Sequence, residues 1–200
     1  MKERETALAD RIARDINIGE LPSGTWLKQV DLEQRYRASR AGVRRALDQL
    51  VSERLVEHVP NRGYHVCMLD EVQHRHIDEI RAVLESAAAA DIVAHADDAE
   101  IARLTQLAKA FNETIHRGSL LQQYEANLAF HRQLLSNCTN TEMVALIFAQ
   151  RGRIPGARIG QWVTREMAEQ SSREHFAMID AIKQRDASLL AQRIRRHILK

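Results

Sequence analysis

The longest continuous feature of the sequence is a helical pattern that runs from Asp70 to residue 200. Apolar residues recur at helical spacing, and no strand-like alternation of apolar and polar residues stands out. Gly118, the stretch 137–140, Gly152 and Asp186 interrupt the pattern. We therefore predict a domain of residues 69–200, an antiparallel bundle of six or seven helices. Its helices are expected at about 70–95, 98–117, 119–137, 140–153, 157–169, 171–185 and 187–199.

The composition of the whole chain favours a mainly α protein. The 200 residues include 8 Gly and 3 Pro, too few for an all-β fold with many turns. No apolar run is long enough to span a membrane, and no secretory signal is visible. The two cysteines, Cys67 and Cys138, lie far apart and outside any CxxC motif, which indicates a reducing compartment without disulfides. We expect a cytoplasmic protein with no membrane partner.

Residues 1–68 follow a different pattern, in which short helices are followed by short strands. Ser39 is a good N-cap for the third helix. The turn Pro60-Asn61-Arg62-Gly63 joins the two strands as a hairpin. These features predict a winged helix-turn-helix domain with a short β-hairpin wing. Its helices are expected at about 6–17, 29–36 and 40–53. Its strands are expected at about 55–59 and 64–66.

The net charge of +2 belongs to this first part. Residues 1–68 contain 12 Lys and Arg against 10 Asp and Glu, while residues 69–200 contain 17 of each. Residues 35–47 alone contain five arginines and no acidic residue. Such a stretch is either a solvated helix face or a contact for a polyanion.

The third helix has the size of an element that enters the major groove of DNA, where its first residues reach base edges. Ser39 lies at its cap, Arg40 at its start and Arg44 one turn later. Arginine binds guanine edges or phosphates, and Arg62 at the hairpin tip is placed to reach the minor groove or a phosphate.

The stretch from Gly19 to Val66 resembles the DNA-binding domain of GntR-family transcription regulators. The matching residues are Gly19-Glu20-Leu21, Gly24, Leu27, Leu32, Ser39-Arg40, Val43-Arg44, Ala46-Leu47, Leu50, Leu55-Val56 and Asn61-Arg62-Gly63. Arg45 departs from the family, which usually has Glu there, and adds positive charge. The resemblance implies that double-stranded operator DNA is contacted by Ser39, Arg40, Arg44, Arg45, Asn61, Arg62 and Gly63.

Three of the nine histidines lie on inward faces of three different predicted helices. These are His131, His175 and His197. Imidazoles from facing helices are how helical bundles build metal sites. Each one alone is more often a core or interface histidine with a hydrogen-bond partner, and periodicity does not show that the three meet.

The segments around these histidines resemble the ligand-binding FCD domain of the FadR branch of the GntR family. In metal-binding members, an Asp and three His hold a divalent ion against which the effector lies. The corresponding residues here are Asn127, His131, His175 and His197. Three imidazoles suit zinc or nickel, and a metal-free histidine pocket is the alternative. Because Asn127 is neutral where the family has Asp, we expect weaker metal binding and a preference for an anionic effector.

Arg81 matches a family phrase on the first bundle helix, which lines the effector cavity in the family. An arginine there would bind a carboxylate bidentately. The alternative is a salt bridge with Glu85, four residues later on the same helix.

Together these features predict a homodimeric transcription regulator that binds a palindromic operator. The family resemblance implies a repressor, although the residues themselves do not give the sign of regulation. A small organic acid bound at the metal would change its operator affinity. One alternative is a metal-dependent bundle enzyme that acts on a small acid, although no activated nucleophile pair is evident. Glu174 would point roughly 100° away from His175, so it is a poor base for that metal. A purely structural metal bundle and a metal-free regulator of the same fold are the others.

Overall fold

The computed structural model describes residues 2–153 and 164–199. These residues form two compact units, of which the first contains the chain up to Asp70 together with residues 151–153, and the second contains the other described residues from Glu71 onward. Each unit has its own hydrophobic core. No described helix has the length and apolar character needed to cross a membrane.

The first unit is a winged helix-turn-helix, as the sequence predicts. Its strands form an antiparallel sheet in the order β1-β3-β2. One core collects apolar side chains from every helix and from the sheet, with Ile12, Leu32, Leu47 and Val66 among them. The elements are α1 (Lys2–Asn17), β1 (Trp26–Leu27), α2 (Gln29–Tyr36), α3 (Arg40–Ser52), β2 (Val56–Val59) and β3 (Gly63–Val66).

Strand β1 was not predicted from the sequence. It exists because Trp26 pairs with His65 and Leu27 with Tyr64, both on the central strand β3. Leu27 is buried in the core, whereas Trp26 is exposed. A strand of two residues shows no alternation, so only its partner reveals it, and the wing sheet has three strands instead of two.

Local contacts set the position of α3. Asp15 near the end of α1 accepts hydrogen bonds from Tyr36 (2.7 Å) and Arg35 (2.8 Å), which join α1 to the end of α2. Burial and the hydrogen bond to Asp15 raise the pKa of Tyr36. Arg37 has a left-handed backbone (φ 52°) that ends α2. Ser39 then begins α3 by accepting a hydrogen bond from the N–H of Gly42 at 3.2 Å.

The second unit is helical throughout its described residues. α6 packs against α7 and α9, and α10 packs against α4, α5 and α9. Its helices are α4 (Glu71–Ala87), α5 (Ala89–His95), α6 (Asp98–Arg117), α7 (Leu120–Leu135), α8 (Thr141–Gly152), α9 (Arg165–Lys183) and α10 (Ala187–Ile198).

Two predicted boundaries in this unit were wrong. The single helix expected at about 70–95 is two helices, α4 and α5, divided at Ala88. The break lies within a run of alanines that carries no glycine, proline or capping side chain to mark it. The break expected at about residue 170 is absent, because α9 continues unbroken through it. Most of the helix predicted at 157–169 lies outside the described residues.

Candidate metal centre and DNA-binding surface

His131, His175 and His197 meet in the second unit. They come from α7, α9 and α10, and each offers one ring nitrogen such that the three atoms lie within 4.8 Å of one another. The ring centroids are 5.0 to 5.3 Å apart. Sequence periodicity places each residue on an inward face, and packing of α9 against α10 helps bring these faces together.

Packing fixes the orientation of the His175 ring. His175 is fully buried and His131 is 1% exposed. The ring of Phe130 stacks on His175 with centroids 4.0 Å apart and planes 18° from parallel, and Phe111 lies 5.1 Å away. Rings held in this way cannot turn without displacing a buried aromatic neighbour, so the histidine cluster is preorganised.

Glu174 is a candidate positioning residue that was not assigned to the site from the sequence. Its Oε2 lies 2.7 Å from Nδ1 of His197, and both side chains are largely buried. Pointing away from His175 along α9, it reaches the histidine on the neighbouring helix. A carboxylate that accepts the Nδ1–H of a histidine orients that ring and directs Nε2 to a metal. In the sequence, the signal for this residue is a carboxylate next to one of several inward-facing histidines. Its pairing with His197 follows only from the packing of α9 against α10.

Asn127 lies one turn before His131 on α7. Its Oδ1 is buried and accepts no hydrogen bond from the residues that the structure describes. A buried amide oxygen without a hydrogen-bond donor lowers the stability of the fold, unless a donor or a cation binds to it. Three imidazoles and one amide oxygen are a donor set that suits zinc or nickel, so these residues fit a divalent metal.

Arg81 lies on α4 between two buried carboxylates. Its Nη1 donates to Oδ1 of Asp78 at 3.0 Å and its Nε donates to Oε1 of Glu85 at 3.2 Å. The salt bridge with Glu85 is therefore present, and Asp78 adds a second pair. The guanidinium is held in one orientation by two carboxylates of its own helix.

The predicted recognition residues lie on the exposed side of α3. Ser39, Arg40, Arg44 and Arg45 are exposed, while the opposite side of the helix packs into the core through Val43, Ala46, Leu47 and Leu50. The hydroxyl of Tyr64 on β3 donates to Asp48 of α3 at 2.6 Å, which fixes the helix against the wing sheet. Burial and this hydrogen bond raise the pKa of Tyr64.

The tip of the wing presents the other predicted residues. Asn61 and Arg62 are exposed, and Gly63 is partly exposed. Asn61 (φ 62°) and Gly63 (φ 105°) both have left-handed backbones, which the tight turn requires. The guanidinium of Arg62 lies over the ring of Trp26, 5.1 Å from its centroid.

Comparison with known proteins bears on both units. Residues 4–66 match the model of bacterial regulatory proteins of the gntR family, and residues 76–200 match the FCD domain model. The chain is a GntR-family transcription regulator. The predicted family, its DNA-binding character and its FCD domain are thereby confirmed.

Relatives of this regulator are themselves regulators. The chain is 30% identical to the HTH-type transcriptional regulator BphR of Paraburkholderia xenovorans, over 96% of this chain and 81% of BphR. It is 24% identical to the transcriptional repressor GlaR of Escherichia coli, over 94% of this chain and 89% of GlaR. The solved structure of E. coli McbR/YncC shares the fold with a TM-score of 0.87 at 19% identity, covering 97% and 92% of the two chains. The enzyme alternative is therefore set aside.

Proposed function

We propose that this GntR regulator is a homodimeric repressor in the cytoplasm whose operator affinity is set by a small carboxylate bound at a divalent metal. The proposal depends chiefly on one observation, the convergence of three histidine nitrogens within 4.8 Å inside the FCD domain. The repressor assignment is supported by the similarity to GlaR, which is a transcriptional repressor.

Operator contact is proposed for the exposed face of α3 and for the wing tip. Arg40, Arg44 and Arg45 would reach base edges and phosphates in the major groove, with Ser39 at the helix start. Asn61, Arg62 and Gly63 would contact the minor groove or its phosphates. Because a twofold-symmetric dimer presents two such surfaces, the operator is expected to be a palindrome with two half-sites.

The metal is proposed to lie between His131, His175 and His197, with the amide oxygen of Asn127 as a weaker fourth ligand. Zinc or nickel are the ions that this donor set favours. Such an ion, when bound, supplies a Lewis-acidic position for an effector carboxylate. Glu174 orients His197 through its Nδ1. Since Asn127 brings no charge, the occupied site is more positive than one with Asp in that position, and this favours an anion.

Arg81 is proposed to help bind the effector carboxylate through the guanidinium N–H groups that are not used in its two ion pairs. Arg193 is a second candidate, because it lies four residues before His197 on α10 and thus on the same face of that helix, one turn away. Its Nε is buried and makes no hydrogen bond with the described residues. The single charge of Arg81 faces the two carboxylates of Asp78 and Glu85, an observation that favours a contribution from Arg193 as well.

Operator binding measured with and without metal and acid tests this function. The operator would first be selected from a random duplex library, and its affinity then measured by fluorescence anisotropy. With zinc-loaded protein, a panel of short mono- and dicarboxylates should contain an acid that changes operator affinity about 5- to 150-fold. Removal of zinc by a chelator, or His175→Ala, should abolish that change, whereas His76→Ala on the exposed face of α4 should not.

Each part of the proposal can fail separately. A response to acid that survives chelation contradicts the metal, and effector affinity that is equal with and without operator contradicts the coupling, which must be reciprocal. Operator affinity that does not depend on any acid contradicts the effector class. Arg81→Gln and Arg193→Gln should each weaken acid binding to zinc-loaded protein, while Arg196→Gln, an exposed residue of the same helix, should leave it unchanged.

A further inference from the structure

We propose that Trp26 is a positioning residue for DNA binding, a platform that holds the wing arginine Arg62 ready for the minor groove. The inference rests on the proposed contact between the wing and DNA, and it adds a residue that lies outside the predicted contact set. Trp26 is 41% exposed, a high value for an indole in a small domain with a complete core.

The position of Trp26 is fixed by the sheet. It pairs with His65 of β3, and His65 pairs on its other side with Glu57 of β2, so the three residues form a row across the sheet. The indole meets the His65 ring edge-on with centroids 5.0 Å apart. His65 Nε2 in turn lies 3.5 Å from a Glu57 carboxylate oxygen. The indole is therefore supported from the side by a ring that is itself held in place.

Arg62 lies over the face of this supported indole, 5.1 Å from the ring centroid. A guanidinium attracted to an aromatic face keeps its N–H donors directed outward, because the interaction uses the π surface and not the donors. The backbone of Arg62 is also fixed, since its N–H donates to the carbonyl of Val59 at 3.0 Å across the turn. Both ends of a long, otherwise mobile side chain are thus restrained before DNA arrives.

Restraint of this kind affects binding because a free arginine loses conformational entropy when it enters a narrow groove. An arginine that already lies over a fixed ring loses less. A minor groove or the phosphates that flank it are the acceptors within reach of a wing tip, and arginine is the side chain that these sites attract. Trp26 thus contributes to affinity through Arg62 and not through a contact of its own.

A double-mutant cycle on operator affinity tests the proposal. The variants are Trp26→Ala, Arg62→Gln and the combination, measured on the full-length chain by fluorescence anisotropy at two salt concentrations. Trp26→Ala should weaken binding about two- to fivefold, about 0.5–1 kcal/mol at 1.4 kcal/mol per tenfold, in the range of an exposed cation–π contact. In the Arg62→Gln background the same substitution should have no effect.

Further measurements separate positioning from folding. Trp26→Phe keeps an aromatic face and should restore most of the affinity lost in Trp26→Ala. If the alanine variant does not fold, the operator affinity of the phenylalanine variant can still be compared with that of wild type. Val30→Ala removes another exposed apolar side chain of the same unit and should not change affinity. Equal losses in both Arg62 backgrounds, or no loss from Trp26→Ala in folded protein, would overturn the proposal.

Discussion

The two units place their polar side chains in opposite ways. In the winged-helix unit, the arginines of α3 and of the wing are exposed, and the buried polar residues in the described part are Asp15 and Asn17. In the helical unit, buried polar residues are more numerous and include two histidines of the cluster. They are Asp78, Glu85, His131, Asn137, Ser171, Ser172 and His175.

This difference matches the kind of ligand proposed for each unit. Exposed arginines stay hydrated, so they contribute little to the free energy of unfolding, and DNA phosphates can reach them. Buried imidazoles and carboxylates lose hydration, and they are tolerated because they pair with one another or bind a cation. Substitutions of the exposed arginines on the DNA surface should therefore change binding with little change in stability, whereas those of buried polar residues in the helical unit should change both.

The largest effect is expected from the core of the winged-helix unit. Leu47 is fully buried in α3, so Leu47→Ala should lower the free energy of unfolding by about 3 kcal/mol, within the usual range of about 2–5 kcal/mol. Urea unfolding followed by circular dichroism measures this. Val30→Ala, at an exposed position of α2, should change it by less than about 0.5 kcal/mol.

The same variant tests whether the two units are separable. Zinc affinity of Leu47→Ala should equal that of wild type, because the histidine cluster is built from α7, α9 and α10 alone. A parallel fall in zinc affinity would show that the two cores depend on one another.

A smaller effect, confined to DNA, is expected from the recognition helix. Arg44→Ala should weaken operator binding by about 2 kcal/mol, roughly 30-fold, if the side chain reaches a base edge. Because Arg44 is exposed and interacts with the hydroxyl of Tyr64 more weakly than Asp48 does, the midpoint of thermal unfolding should move little. Arg196→Ala makes the same change of charge at an exposed site of α10 and should leave operator affinity unaltered. Equal losses from both substitutions would indicate a general charge effect.

Glu174→Gln should act on the helical unit alone. The amide keeps the shape and can still accept the hydrogen bond from His197, but it lacks the negative charge, so zinc affinity should fall about tenfold. Competition with a chromogenic chelator measures this. Glu79→Gln, on the exposed side of α4, is the matched control. An unchanged zinc affinity in Glu174→Gln would show that the carboxylate does not act through His197.

How much the sequence could predict also differs between the units. The bounds of α2 and α3 were predicted to within one residue, because Ser39 and the surrounding turns carry local capping chemistry. In the helical unit, the division at Ala88 and the continuity of α9 depend on packing, since neither has a local marker. Periodicity predicts faces well and predicts interruptions only where a capping or turn residue is present.

The candidate site shows the same limit. His131, His175 and His197 could be named from their inward faces and from the family resemblance, but their convergence is a property of how α7, α9 and α10 pack. The pairing of Glu174 with His197 and that of Arg62 with Trp26 join residues 23 and 36 positions apart, which no local pattern connects. Such contacts between elements depend on how the helices and strands pack, so they are found in the structure and not in the sequence pattern.

The smallest effect is expected from removing a helix N-cap side chain, a feature that both units contain. Ser39 accepts from the N–H of Gly42 at 3.2 Å, and Asp97 accepts from the N–H of Glu100 at 2.7 Å, each at the start of a helix. Ser39→Ala and Asp97→Ala should each lower the free energy of unfolding by about 1 kcal/mol. Ser39→Ala alone should also weaken operator binding, because the first turn of α3 carries Arg40. If both variants lose the same stability and neither changes operator affinity, the start of α3 is a structural cap and DNA recognition must lie further along the helix.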